Sequence, residues 1–161
     1  MEYGKDDVLK FLPHRDPFLF IDSIEYVSLP SFTFDNSANF KQLIGAKVKG
    51  HFYVRPDLEI LKGHFPGNPL VPGVVQIEMM AQTSCFAVLK YLALFKNNRE
   101  NQLTLVTVER AKFRKPVYPN TKLEIYSTLT SARANFSYYD CIIKSDDQLI
   151  SEASIMASIG K

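Results

Sequence analysis

The stretch that decides the fold is GHFPGNPLVPGVVQIEMMAQTSCFAVLKYLALF, residues 63–95. Its first part, residues 63–73, holds three prolines and three glycines, which excludes a regular helix or a central strand there. The residues that follow recur at spacings of three or four, which is one face of a helix: Val74, Ile77, Glu78, Ala81, Cys85, Val88, Leu92 and Phe95. We therefore predict a loop followed by one long helix, which begins near Pro72 and ends near Asn97 and Asn98.

Strand-like segments flank this helix on both sides. Residues 18–27 and 46–53, before it, are rich in β-branched and aromatic side chains. Four segments after it have similar strand-like patterns and short connections, as antiparallel neighbours do: residues 103–112, 122–130, 135–144 and 149–159. A short helix is predicted over residues 6–12. The sequence thus predicts a single α+β domain over residues 1–161, with an antiparallel sheet wrapped around one long central helix.

Composition excludes several classes of protein. With 19 Lys and Arg against 17 Asp and Glu, the net charge is +2, too balanced for a protein built around nucleic acid. Cys85 and Cys141 lie far apart with no clustered histidine, which argues against a zinc site or a redox dithiol. The acidic N-terminus lacks an apolar leader and the apolar stretch is interrupted by polar residues, so we expect a cytoplasmic protein without membrane insertion.

Glu78 is the anomaly on the apolar helix face. Burying an unpaired carboxylate is costly, so such a group becomes protonated or finds a partner. A carboxyl group with a raised pKa in a pocket is a candidate general acid or base. The alternative is a glutamate at the helix edge that reaches solvent or an ion pair.

His64 and Gly73 place further chemistry in the loop that leads into the same helix. A histidine exchanges protons near neutral pH, although a lone loop histidine can also serve a structural hydrogen bond. The first N–H groups of a helix lack internal partners, so a carbonyl oxygen at Gly73 would be stabilised as it gains negative charge. A base, a carboxyl group and an oxyanion site favour proton removal next to a carbonyl, with no metal or organic cofactor.

Three motifs together resemble the 3-hydroxyacyl-[acyl-carrier-protein] dehydratases of bacterial fatty acid synthesis. They are FLPHRDPFLFID at residues 11–22, GHFPGNPLVPGVVQIEMMAQ at residues 63–82 and ERAKFRKPVYP at residues 109–119. The resemblance implies the hotdog fold, with His64 and Glu78 as the catalytic pair and Gly73 as the residue whose N–H binds the thioester carbonyl. Glu rather than Asp at position 78 favours the branch that dehydrates without isomerising the product.

The resemblance also implies partners. The substrate would be an acyl chain linked through phosphopantetheine to acyl carrier protein. A homodimer assembling to a hexamer would form the site, with His from one subunit and Glu from the other. Because acyl carrier proteins are acidic, a basic stretch is a candidate docking surface: Arg110, Lys112, Arg114 and Lys115. A solvated strand face is the alternative for these residues.

Two other functions remain open from the sequence. A hotdog thioesterase would use a carboxylate on the central helix to activate water, although the loop histidine argues against it. A non-catalytic acyl-binding or carrier-binding hotdog protein is less compatible with the intact pair of His64 and Glu78. His14 and Arg15 in the first motif are predicted to be structural, and the residues around 28–43 exceed the family pattern.

Overall fold

The computed structural model describes residues 2–31, 40–94 and 103–159. In these ranges the helices are α1 (Lys5–Phe11), α2 (Glu59–Gly63), α3 (Gly73–Leu94) and a 3₁₀ helix at Phe40–Leu43. The strands are β1 (Ser23–Ser28), β2 (Lys47–Tyr53), β3 (Leu103–Phe113), β4 (Lys122–Arg133), β5 (Phe136–Ser145) and β6 (Gln148–Ile159). The predicted elements are therefore present, and α2 is an addition that the sequence pattern did not indicate.

The strands form one antiparallel sheet in the order β1-β2-β4-β5-β6-β3. Asp146 and Asp147 join β5 to β6 and both have positive φ, as a tight hairpin turn between right-twisted strands requires. Helix α3 lies across the inner face of this sheet and contacts every strand, β4 most extensively. This is the predicted hotdog fold, with an antiparallel sheet wrapped around one long helix.

The face of α3 that meets the sheet differs from the predicted stripe. Val74 is 77% exposed, and Glu78 and Cys85 are only partly buried. Ile77 and Val88 on the predicted stripe are buried as expected, but further buried side chains lie off it: Val75, Met79, Met80, Thr83, Phe86 and Ala87. Since α3 is apolar on nearly every side, hydrophobic spacing does not select which face packs on the sheet.

Strand β1 is shorter than predicted because a helix side chain takes the place of a strand partner. The Phe20 N–H donates to Gln82 Oε1 at 2.9 Å, and Gln82 Nε2 donates to the Phe18 carbonyl at 2.9 Å. These bonds satisfy the backbone of the segment before β1 without a sheet ladder. They also fix this segment against α3.

Several sequence features fall outside the described ranges. Residues 32–39, the centre of the stretch that exceeds the family pattern, are not described, nor is the helix end predicted near Asn97 and Asn98. Within the ranges described, no helix combines the length and hydropathy needed to cross a bilayer.

Candidate active site

A hydrogen bond in the loop between α2 and α3 fixes which ring nitrogen of His64 carries the proton. His64 Nδ1 lies 2.9 Å from the Leu70 carbonyl oxygen, which can only accept, so Nδ1 carries the proton. The Leu70 N–H returns a bond of 2.8 Å to the His64 carbonyl, and the imidazole stacks on Phe65 with ring centroids 4.1 Å apart. In the neutral ring Nε2 is then an unprotonated acceptor. The loop thus presents His64 as a base.

Helix α3 begins at Gly73 under an aromatic ring. A Cβ at this position would lie 2.9 Å from Cζ of Phe113, so only glycine permits the close approach of the ring. Among the described residues, the Gly73 N–H makes no hydrogen bond. The helix start opens into a pocket of about 270 Å³ whose lining includes Leu70, Gly73, Gln76, Phe113, Arg114 and Lys115. An anionic oxygen in this pocket would meet a free N–H at the positive end of α3.

Glu78 is paired within its own chain. Its Oε1 accepts hydrogen bonds from Gln82 Nε2 at 2.9 Å and from His14 Nε2 at 3.2 Å. Burial raises the pKa of Glu78, but the hydrogen bonds from His14 and Gln82 and the charge of His14 outweigh burial and hold this pKa below its ordinary value. The raised pKa considered for Glu78 is therefore not found, and the carboxylate has found partners instead.

His14 is the site residue that sequence reasoning missed, since it was assigned a structural role. Arg15 does have that role, because its guanidinium donates to the carbonyls of Leu9, Leu12 and His14 around the end of α1. His14 instead reaches Glu78. The available signal was a histidine between prolines in a motif that the resemblance already included.

The structure does not join His64 to Glu78 by a hydrogen bond or an ion pair, although both lie in the described part of the chain. Gly73 and Gln76 face Phe113 at the end of β3, whereas Glu78 faces His14. Positions 76 and 78 are separated by about 200° around a helix of about 3.6 residues per turn. One chain therefore presents the Gly73 N–H and the Glu78 carboxylate in different directions around α3.

The basic stretch at the end of β3 is only partly neutralised. Arg110 pairs with Asp140 at 3.4 Å, and Glu152 serves both Arg114 at 2.7 Å and Lys112 at 3.7 Å. Lys115 donates to the Gln148 amide oxygen at 2.6 Å, which leaves its charge uncompensated. Arg114 and Lys115 also line the pocket at Gly73. Positive charge thus remains beside the pocket.

Two nucleophile candidates of α3 are committed to packing. Burial raises the pKa of Cys85 to about 12, so its thiol stays protonated at neutral pH. The Ser84 hydroxyl lies 2.7 Å from both the Met80 carbonyl oxygen and the Ser127 hydroxyl in the core. Within the described part of the chain, neither side chain is hydrogen-bonded to a base, as nucleophilic catalysis requires.

Glu25, His51 and Glu124 bring three potential metal ligands together on the sheet surface. Lys49 already occupies this cluster, with its ammonium 2.9 Å from Glu25 and 2.7 Å from Glu124. The hydrogen bond to Glu124 raises the pKa of Lys49 above its ordinary value. The carboxylates thus bind a cation of the chain itself, far along the sheet from the start of α3.

Comparison with known proteins gives a consistent set of relatives. The chain matches the family model described as ApeI-like, ApeI dehydratase, over residues 41–153. It is 37% identical to the 3-hydroxyacyl-[acyl-carrier-protein] dehydratase FabZ of Sinorhizobium medicae, covering 95% of this chain and 87% of that protein. Identity to the FabZ of Wolbachia sp. subsp. Brugia malayi is 30%, covering 99% and 98%. A chain of the dehydratase heterocomplex ApeI:P from Xenorhabdus doucetiae has a TM-score of 0.67 at 18% identity, covering 96% and 91%.

Proposed function

Because this chain belongs to the 3-hydroxyacyl-[acyl-carrier-protein] dehydratases, lyases that break a carbon–oxygen bond, we propose that His64, Gly73 and Glu78 perform the dehydration. The substrate is a (3R)-hydroxyacyl thioester of acyl carrier protein, and the products are the trans-2-enoyl thioester and water. The observation that carries the assignment of residues is His64, with Nδ1 bonded to Leu70 and Nε2 free, in the loop that leads to the unpaired N–H of Gly73.

The reaction follows from these groups. Nε2 of His64 takes the proton from C2, and the electron pair moves toward the thioester carbonyl, whose oxygen gains negative charge. The Gly73 N–H stabilises that oxygen. The C3–O bond then breaks as the double bond forms, and the hydroxyl leaves as water with one proton, so the elimination is neutral in protons.

Glu78 orients the leaving hydroxyl and helps to protonate it. With its pKa held low, the carboxylate accepts a hydrogen bond from the C3 hydroxyl and fixes the direction in which the oxygen leaves. The hydrogen bond from His14 supplies a donor beside the carboxylate through which a proton can pass. No cofactor or metal enters this scheme, since proton transfer and electrostatic stabilisation are sufficient.

A second copy of the chain completes the site in this proposal. The separation of Glu78 from Gly73 around α3 supports a site in which His64 and Gly73 meet the partner's Glu78. Strand β3 supports a dimer as well, because it is an edge strand with exposed apolar side chains at Leu105, Val106, Val108 and Phe113. The dimers assemble to a hexamer in this proposal, and light scattering that returned a stable monomer would contradict it.

The carrier protein docks on the basic stretch of Arg110, Lys112, Arg114 and Lys115. The residual positive charge of this stretch complements an acidic partner, and its last two residues lie at the pocket that would receive the thioester. We place the reaction in the cytoplasm, as the sequence analysis predicts.

The test is to incubate the protein with a 3-hydroxyacyl thioester of acyl carrier protein and to follow the enoyl product and free thiol together. Dehydration forms the enoyl thioester and leaves the thioester bond intact. A thioesterase would instead release free thiol without enoyl product, and a binding protein would form neither. Either of the last two results would contradict the proposal.

A further inference from the structure

Gln76 is a buried amide without a partner. Its side chain lies on α3 and the residue is only 3% exposed. The Oε1 atom is fully buried, and among the described residues neither this oxygen nor the side-chain nitrogen makes a hydrogen bond. Burying a carboxamide without hydrogen bonds costs free energy, so the molecule retains this group at a penalty unless something else binds it.

The position of Gln76 indicates what binds it. Gln76 and Gly73 line the same pocket and lie three residues apart, about 4.5 Å along the helix axis. The ring of Phe113 covers this part of α3, and Arg114 and Lys115 lie at the pocket as well. The Gln76 side chain and the unpaired Gly73 N–H thus lie at the wall of one pocket, and the Nε2 donors of Gln76, unlike its sealed Oε1, are the atoms that an occupant can reach.

We propose that the carboxamide of Gln76 binds the amide of the pantetheine arm that lies next to the thioester sulfur, and so selects thioesters that carry this amide. The inference rests on the proposed function, which places the thioester carbonyl on the Gly73 N–H. Two methylene groups separate the sulfur from that amide, a span that suits the distance from Gly73 to Gln76. The donor hydrogens on Gln76 Nε2 complement the carbonyl oxygen of a secondary amide.

The charge around the pocket suits the rest of the pantetheine arm. Beyond the amide the arm continues toward its phosphate, and Arg114 and Lys115 place positive charge at the pocket. A polar group of a second subunit is the competing occupant of Gln76. In that case the affinity for the arm would not depend on Gln76, and the experiment below separates the two.

The experiment compares two thioesters of the same 3-hydroxyacyl group on the wild-type protein and on Gln76→Met. One thioester is the N-acetylcysteamine derivative, which carries the amide, and the other is the S-butyl derivative, which lacks it. Methionine is unbranched and of similar length, so it removes the hydrogen bonds without opening a cavity. The S-butyl thioester serves as the internal control for the chemistry.

For the wild-type protein we expect kcat/KM to favour the N-acetylcysteamine thioester by about tenfold, the effect of one net hydrogen bond. In Gln76→Met the ratio of the two kcat/KM values falls to about 1, because kcat/KM falls for the N-acetylcysteamine thioester and is kept for the S-butyl thioester. An unchanged preference, or an equal loss on both thioesters, would overturn the inference in favour of a contact with the second subunit or a structural role.

A binding measurement separates this inference from the proposed function. Saturated acyl thioesters without the 3-hydroxyl group cannot be dehydrated, so their Kd values report binding alone. Wild-type protein should bind the N-acetylcysteamine thioester about tenfold more tightly than the S-butyl thioester, and Gln76→Met should bind both alike. If neither 3-hydroxyacyl thioester is dehydrated, the proposed function fails while this Kd ratio still decides the role of Gln76.

Discussion

Helix α3 carries two buried glutamines whose surroundings differ completely. Gln82 is 1% exposed and uses both ends of its amide, bonding the backbone at Phe18 and Phe20 and the carboxylate of Glu78. Gln76 is 3% exposed and bonds nothing among the described residues. In the first region, the Gln82 amide finds all its partners within the chain. The second, at the start of α3, is arranged for a group that comes from outside.

The difference shows how one helix can hold both halves of a shared site. The Gln82 region fixes a carboxylate against the segment before β1 and keeps it ionised. The Gly73 region leaves an N–H and an amide free under Phe113. In the function proposed here, substrate binding and oxyanion stabilisation belong to the Gly73 region, which we call the open region. Leaving-group orientation belongs to the Gln82 region, which we call the closed region.

The most severe way to disable either region is to remove its reacting group. We expect His64→Ala and Glu78→Gln each to lower kcat/KM by about 10²–10⁴-fold, the usual contribution of a general acid or base. His51→Ala is the matched control, because this histidine pairs with Glu25 on the sheet surface and should leave kcat/KM unchanged. Full activity in His64→Ala would show that another base removes the proton.

The two glutamines should also differ in their effect on stability. Gln82→Met leaves the buried Phe20 N–H and the part-buried Phe18 carbonyl without their partner and should lower the free energy of unfolding by about 2–3 kcal/mol. Gln76→Met loses no hydrogen bond and should change it by less than about 1 kcal/mol, in the stabilising direction. Urea unfolding of both variants measures the difference. Equal destabilisation would mean that Gln76 has a structural partner.

Removing His14 tests how the closed region holds its carboxylate. His14→Gln should lower the free energy of unfolding by about 1–2 kcal/mol at neutral pH, because a charge-assisted hydrogen bond is weakened. Without His14, burial is less opposed and the pKa of Glu78 rises, which an NMR titration of the Glu78 carboxyl carbon measures directly.

The lowered pKa of Glu78 also makes the stability of the fold depend on pH. The pKa of Glu78 is lower in the folded chain than in the unfolded one, so its stabilisation is present above the unfolded pKa. It is lost as pH falls through the lowered folded pKa. The gap between wild-type protein and His14→Gln should therefore narrow in acid. A titration of the Glu78 carboxyl that did not move in His14→Gln would contradict the pairing of His14 with Glu78.

The smallest expected effect concerns carrier docking beside the open region. Replacing Arg114 and Lys115 by glutamine should raise KM for the carrier-linked substrate by about 2–5-fold and leave N-acetylcysteamine thioesters unaffected. The matched control replaces Arg110 and Lys112, which lie farther from this pocket, and should have a weaker effect. Equal effects on both substrates would show that these charges act on the pocket and not on the carrier.

Much of the fold could be predicted from the sequence because its patterns are local. Proline and glycine spacing located the loop before Gly73, and alternating residues with short breaks located β4, β5 and β6. The buried face of α3 was predicted only in part, because an apolar helix has no contrast between its sides: Val88 is buried as predicted, whereas Val74 is exposed. The length of β1 depends on Gln82, a contact across 62 positions that no local pattern contains.

The site was predictable only in its parts. His64, Gly73 and Glu78 stand out by residue type in one continuous motif. The pairing of His14 with Glu78 joins two motifs distant in the chain, and the missing partners of Gln76 become visible only once burial is known. Which groups share a site depends on their direction around α3, and that direction separates Gly73 from Glu78.

The central claim is that each site takes His64 from one chain and Glu78 from another, and mixing inactive variants tests it most directly. His64→Ala and Glu78→Gln proteins are unfolded together, refolded as a mixture and assayed for dehydration. The account predicts recovery of about a quarter of wild-type activity, because half of the random dimers are mixed and each mixed dimer holds one intact site. Each variant refolded alone remains inactive. If a mixture shown to contain mixed dimers recovers no activity, the account is contradicted. That result would mean that each site lies within one chain, because such a site stays broken in every pairing.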